Sequence, residues 1–137
     1  MILVDTGPLV ALFDPKDGQH ARCVKALKGI REPVSTTTPV LTEAFHMLGP
    51  GSIGSDRLRD FVERGGLTVW FLDQPALTRA FELMEVYADH PMDLADASLV
   101  VAAESLGTRK VFTIDQNDFA MYRVRRGHRN EPTEIVP

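Results

Sequence analysis

The runs Met1-Ile2-Leu3-Val4 and Lys110-Val111-Phe112-Thr113-Ile114 are too short for helices and lack the strict polar–apolar alternation of a half-solvated strand. Strands of this composition are buried on both faces, which confines them to parallel sheets covered by helices. The segments between them carry helical periodicity. The chain is therefore expected to be α/β: a three-layer α/β/α arrangement around a central parallel sheet.

Turn and cap signals set the expected order. Residues 2–5 form the first strand, and Gly7-Pro8 opens a helix through Phe13. A helix over 20–27 and a strand over 33–36 follow. Thr38 and Pro39 then supply an N-cap and a first-turn proline for a helix ending at Gly49. Residues 55–64 form a helix stopped by Gly65-Gly66, 67–72 a strand, and 76–88 an amphipathic helix. The helix over 93–106 has almost no polar face, which marks it as buried. Residues 110–114 are a further central strand and 132–136 an edge strand.

Four acids stand where the chain leaves these runs or within the helices between them: Asp5, Glu43, Asp96 and Asp115. In an open α/β sheet, ligands collect outside the carboxyl ends of the strands, so acids there converge although far apart in sequence. Each has a plain explanation when taken singly. Asp5 caps a helix, Asp93 and Asp96 favour the positive end of a helix dipole, Asp115 makes a turn with Asn117 and Asp118, and Glu43 lies on solvated surface. Together they are harder to dismiss, because two carboxylates about 5 Å apart repel by roughly 3 kcal/mol at an effective dielectric near 20. Either the four stay apart or a divalent ion holds them, and an all-oxygen donor set selects Mg²⁺ or Mn²⁺ over Zn²⁺.

Composition narrows the partners. The 137 residues suffice for one domain, 1–137, with a single core. A net charge of −4 supplies no overall field for a polyanion, which must bind through a local patch or a metal. The single cysteine, Cys23, forms no internal disulfide and suits a reducing, cytoplasmic setting. No basic segment precedes the first apolar run as in a signal peptide, and no apolar stretch reaches the roughly 18 residues that cross a bilayer, so no membrane association is expected.

The segments Val4-Asp5-Thr6-Gly7-Pro8-Leu9-Val10-Ala11-Leu12, Thr42-Glu43, Asp93-Leu94-Ala95-Asp96-Ala97-Ser98-Leu99 and Thr113-Ile114-Asp115-Gln116-Asn117-Asp118-Phe119 resemble those of PIN-domain ribonucleases, in particular the VapC-type toxins of toxin–antitoxin pairs. The likeness runs over essentially the whole chain in the family's order. It implies a PIN-like fold with an acidic pocket for Mg²⁺ or Mn²⁺ and hydrolysis of RNA phosphodiester bonds by water. Asp5, Glu43, Asp96 and Asp115 match the family's four catalytic, metal-binding acids. Thr6 and Thr113 match adjoining hydroxyls, with Asp93 and Asp118 as auxiliary acids. Gly7 departs from the Ser or Asn common at its position. The resemblance further implies an RNA substrate, a cognate antitoxin and a homodimer.

Other signals weigh less. Gly49-Pro50-Gly51-Ser52-Ile53-Gly54 satisfies G-x-G-x-x-G but follows a helix instead of a strand, and Pro50 lacks the N–H a phosphate would need. His20, His46, His90 and His128 lack metal-ligand spacing. Arg123, Arg125, Arg126 and Arg129 form a basic cluster that is either solvated surface or an RNA-phosphate contact. A PIN nuclease of RNA processing without a toxin role would share the site. A receiver-like signalling domain needs paired acids after its first strand and a Lys after its last, whereas Asp5 is single and Lys110 begins its strand.

Overall fold

The computed structural model describes all 137 residues. Five parallel strands form one sheet in the order β3-β2-β1-β4-β7, where β1 is Ile2–Val4, β2 Val34–Thr37, β3 Thr68–Trp70, β4 Lys110–Phe112 and β7 Glu134–Val136. The chain steps from β1 to β2 to β3 in one direction, through α1 (Thr6–Phe13), α2 (His20–Gly29), α3 (Thr38–Leu48) and α4 (Ile53–Glu63). It then crosses back to β4 through α5 (Gln74–Val86) and α6 (Leu94–Leu106). Right-handed crossovers that change direction put their helices on opposite faces, which gives the three layers. The reversal falls between β1 and β4, the place where ligands settle in such sheets.

Burial follows the apolar patterning. Ile2, Leu3 and Val4 are all buried, as are Val111 and Phe112. Eight of the thirteen residues of α6 are buried, including the unbroken run Ser98 to Ala103, because it packs on α5, α3, β1 and β2 at once. Gly107, in the left-handed conformation, ends it.

Two features differ from the sequence-based expectation, while the glycine-rich stretch joins two helices as expected. Thr37, not Thr38, caps α3: β2 stays extended through Thr37, paired with Trp70, and the Thr37 hydroxyl accepts the Val40 N–H at 3.5 Å while meeting the Ser98 hydroxyl. The glycine-rich loop has a structural use throughout. Gly49 and Gly51 adopt positive φ, and Gly54 lies so near α1 that a Cβ would stand 2.6 Å from the Phe13 carbonyl oxygen. Finally, the segment after β4 is ordered into a short helix, α7 (Gln116–Met121), and an antiparallel hairpin of β5 (Arg123–Arg126) and β6 (Arg129–Pro132). The two-residue loop Gly127-His128 closes the hairpin with Gly127 at φ 63.

Candidate metal centre and its acids

Asp5 leaves β1 with its N–H still bonded to the Phe112 carbonyl, so the sheet itself fixes its backbone at the β1/β4 rim. As N-cap of α1, its Oδ1 accepts the Thr6 N–H at 2.8 Å, and its Oδ2 accepts the Thr113 hydroxyl at 2.9 Å. Only 7% of Asp5 is exposed. Burial, opposed by those two hydrogen bonds and reinforced by Asp93 and Glu43, raises its pKa to about 6.

Two threonines extend this anchor. Thr6 gives its hydroxyl to Glu43 Oε1 at 2.7 Å, so one residue orients an acid on each of two elements. Thr113 accepts the Asp115 N–H at 3.0 Å while donating to Asp5.

Asp96 stands in the first turn of α6. Its N–H donates to Asp93 Oδ1 at 2.8 Å, and its Oδ2 accepts the Tyr122 hydroxyl at 2.9 Å. Burial first, then the negative charges of Asp93 and Asp5, push its pKa to about 7. Asp5 and Asp96 thus feel each other and share Asp93 as a neighbour.

Asp115 and Asp118 form a separate pair at the start of α7. Asp115 caps that helix and accepts the Asp118 N–H at 3.3 Å, and its carboxyl is pushed upward by Asp118. Asp118 is held down by Asp115 and His90, whose Nε2 lies 2.5 Å from Asp118 Oδ1. The charge of Asp118 reaches Asp96.

The structure therefore brings Asp5, Glu43, Asp93 and Asp96 into one electrostatic group, with Asp118 at its border and Asp115 turned toward Asp118. None of Asp5, Glu43, Asp93, Asp96 or Asp115 forms an ion pair with Lys or Arg. No three His, Cys, Asp or Glu side chains close on a single point. A divalent ion here would be held by one or two carboxylates directly and by others through water, the usual manner of Mg²⁺. Desolvated, mutually repelling oxygen donors without a protein cation fit that group.

Beside the acids lies a cleft of about 510 Å³, with Thr38, Pro39, Thr42 and Glu43 on one wall and Asp93, Leu94 and Ala95 on the other. A larger recess between α2 and β7 contains none of these acids.

The basic cluster is less uniform than its sequence suggests. Arg123 spends its guanidinium on the Ala120, Met121 and Tyr122 carbonyls, and Arg126 lies 3.7 Å from Glu131. Arg125 and Arg129 are exposed and form no ion pair. Tyr122 and His90 were not singled out by the motifs. Neither shows a sequence spacing to the acid it touches.

With an acidic group at the switch point of a three-layer α/β/α fold, the chain belongs to the PIN-domain family, whose model matches residues 2–126. Within that family it is similar to Ribonuclease VapC26 of Mycobacterium tuberculosis, with 24% identity over 131 residues covering 93% of this chain and 96% of the relative. Similar solved structures include Mycobacterium tuberculosis VapC20, a sarcin-ricin loop cleaving toxin (TM-score 0.78, 18% identity, 85% of this chain and 92% of that one). A toxin-antitoxin complex from Klebsiella pneumoniae has a TM-score of 0.67 at 20% identity, covering 88% and 92%. FitAB bound to a DNA fragment has 0.64 at 20%, covering 87% and 88%.

Proposed function

We propose that this protein is a Mg²⁺- or Mn²⁺-dependent endoribonuclease and the toxin of a type II toxin–antitoxin pair, with 1–137 acting as one unit. The observation that carries the reading is the buried Asp5 carboxylate, faced by Glu43, Asp93 and Asp96 with no protein cation to neutralise them. Likeness to a ribonuclease and to toxin–antitoxin structures supports the substrate class and the antitoxin partner.

A bound Mg²⁺ or Mn²⁺ would supply Lewis-acid polarisation of a phosphate oxygen and activation of water. Asp5 and Asp96 would be its principal ligands, and Glu43 and Asp115 would complete the shell directly or through water. Thr6 and Thr113 orient Glu43 and Asp5. Asp93 fixes the Asp96 backbone, and Asp118 bounds the site beside His90. RNA enters by the cleft next to Glu43 and Asp93 and is steadied by the hairpin arginines. The exposed Phe71, Phe81 and Val86 are apolar area available to a homodimer contact. No helix is long and apolar enough to cross a membrane, and a cytoplasmic setting is part of the proposal.

The test is incubation with defined RNAs, including a sarcin-ricin loop hairpin, in Mg²⁺ or Mn²⁺, beside Asp5→Asn and Asp96→Asn. Cleavage should need the metal and both acids. Activity persisting in excess EDTA, or in both variants, overturns the metal mechanism. Growth arrest on expression, relieved by a cognate antitoxin, tests the toxin role. Harmless wild-type protein that still cleaves RNA points to an RNA-processing nuclease instead.

A further inference from the structure

Asp96 is surrounded by its own sign of charge. Asp93, Asp5 and Asp118 all act on it unfavourably, and repulsion of that kind turns a first-turn aspartate outward to water. One neutral group opposes this. The Tyr122 hydroxyl donates to Asp96 Oδ2 at 2.9 Å, the only hydrogen bond the side chain accepts from the protein.

Tyr122 is built as a rigid donor. It is fully buried although it carries a hydroxyl, and it sits where α7 ends and β5 begins. Its ring meets Phe119 edge-on, with centroids 5.1 Å apart, and Tyr87 likewise at 5.2 Å. The Tyr87 hydroxyl in turn accepts the Arg123 N–H at 2.9 Å, which holds the residue after Tyr122.

We infer that Tyr122 is a positioning residue: by holding Asp96 Oδ2 it fixes the rotamer of the Asp96 carboxylate as a ligand for the divalent cation. This rests on the metal reading above. Partners that orient metal ligands typically account for 10- to 100-fold in metal affinity.

The test is Mn²⁺ binding to the metal-free protein by calorimetry, comparing wild type with Tyr122→Phe, which keeps the ring and both edge contacts. Thr78→Val, a hydroxyl deletion on the exposed face of α5, serves as the control. The expected result is a Mn²⁺ Kd weaker by roughly 10- to 100-fold in Tyr122→Phe alone. Its kcat should fall at low Mn²⁺ and recover at high Mn²⁺, with the KM for RNA unchanged. A Kd within twofold of wild type overturns the inference while leaving the metal reading intact. Absence of Mn²⁺ binding by wild type overturns both. Should Tyr122→Phe not fold, 4-aminophenylalanine at position 122, which keeps a donor, is compared with 4-methylphenylalanine, which does not. Retained affinity in the first and loss in the second support the role, and equal affinities sink it.

Discussion

The Thr6 hydroxyl donates to Glu43 Oε1 across 2.7 Å, tying the first turn of α1 to α3 at the rim of the sheet. Because the Thr6 N–H holds Asp5 at the same time, one residue sets the spacing of two acids. Thr6→Val keeps the shape and the backbone donor but frees Glu43. Cleavage at limiting Mn²⁺ should fall about 10- to 100-fold. Folding stability should drop by about 1 kcal/mol, the usual net value of one such bond. Metal titration of cleavage together with urea denaturation reads both, and equal metal dependence in variant and wild type would refute the linkage.

The raised carboxyls make stability depend on pH in a defined direction. Asp5 moves from an ordinary 3.8 to about 6 and Asp96 to about 7, so the folded state binds these protons more tightly than the unfolded chain does. Their contribution is present below pH 4 and is lost as pH rises through 6 and 7. For Asp5 alone the loss is on the order of 3 kcal/mol. In EDTA, the melting temperature should decline between pH 5 and 8, and saturating Mg²⁺ should flatten that decline. A melting temperature that rises over this interval in EDTA contradicts the assignment.

Replacing the charge shows the same conflict between stability and function. Asp5→Asn keeps an acceptor for the Thr6 N–H and removes the repelled anion, while giving up the bond from the Thr113 hydroxyl. At pH 8 in EDTA this variant should be more stable than wild type by about 1 to 3 kcal/mol, and the advantage should shrink toward pH 5. Cleavage should be abolished. Calorimetric melts at the two pH values check it, and a destabilised variant at pH 8 would mean that burial of Asp5 is already compensated.

What the amino-acid sequence made legible is what has a period or a cap. The apolar runs at β1 and β4 announce buried strands, and the nearly all-apolar face of α6 announces a core helix, because burial on every side leaves no room for polar residues. Asp5 was readable as the acid after such a run. The hairpin was not, since in β5 only Val124 turns inward and three arginines around it read as a charge run. Its signal was the Gly127-His128 pair, a two-residue loop with glycine at the positive-φ position. Tyr122 was hidden for a different reason. Its contact with Asp96 spans 26 residues, and only the packing of β5 against α6 creates it. The turn bond from the Asp118 N–H to Asp115 was readable, whereas the meeting of Asp118 with His90 is a matter of side-chain direction, which motif spacing does not encode.

The hairpin is fastened to the helical layer by Glu104. Its carboxylate takes Arg79 Nε at 3.0 Å and Nη2 at 3.1 Å, and also the Arg125 N–H at 2.9 Å. Both side chains are largely sheltered, at 20% and 12% exposure. Glu104→Ala should therefore cost about 2 to 3 kcal/mol, below the roughly 3 to 5 kcal/mol for stranding one partner of a buried pair, because Arg79 keeps Glu82 at 3.2 Å. Glu104→Gln, which keeps an acceptor for the Arg125 N–H, should cost less. Denaturant midpoints order the two, and hydrogen exchange should show the β5 amides opening first in the alanine variant.

Because Arg123 is consumed by backbone carbonyls and Arg126 leans on Glu131, the hairpin's free cations are Arg125 and Arg129. If these two meet RNA phosphates, removing both should weaken binding to single-stranded RNA regardless of its sequence. The slope of log affinity against log salt should flatten by about 1.4, or 0.7 for each lost phosphate contact. Binding is measured in an Asp5→Asn background so that the RNA survives. Arg123→Ala should instead destabilise the turn into β5, because its loss leaves three carbonyls without their donor. An unchanged salt slope in the Arg125→Ala, Arg129→Ala protein would assign the cluster to solvated surface and move the RNA path to the cleft beside Glu43 and Asp93 alone.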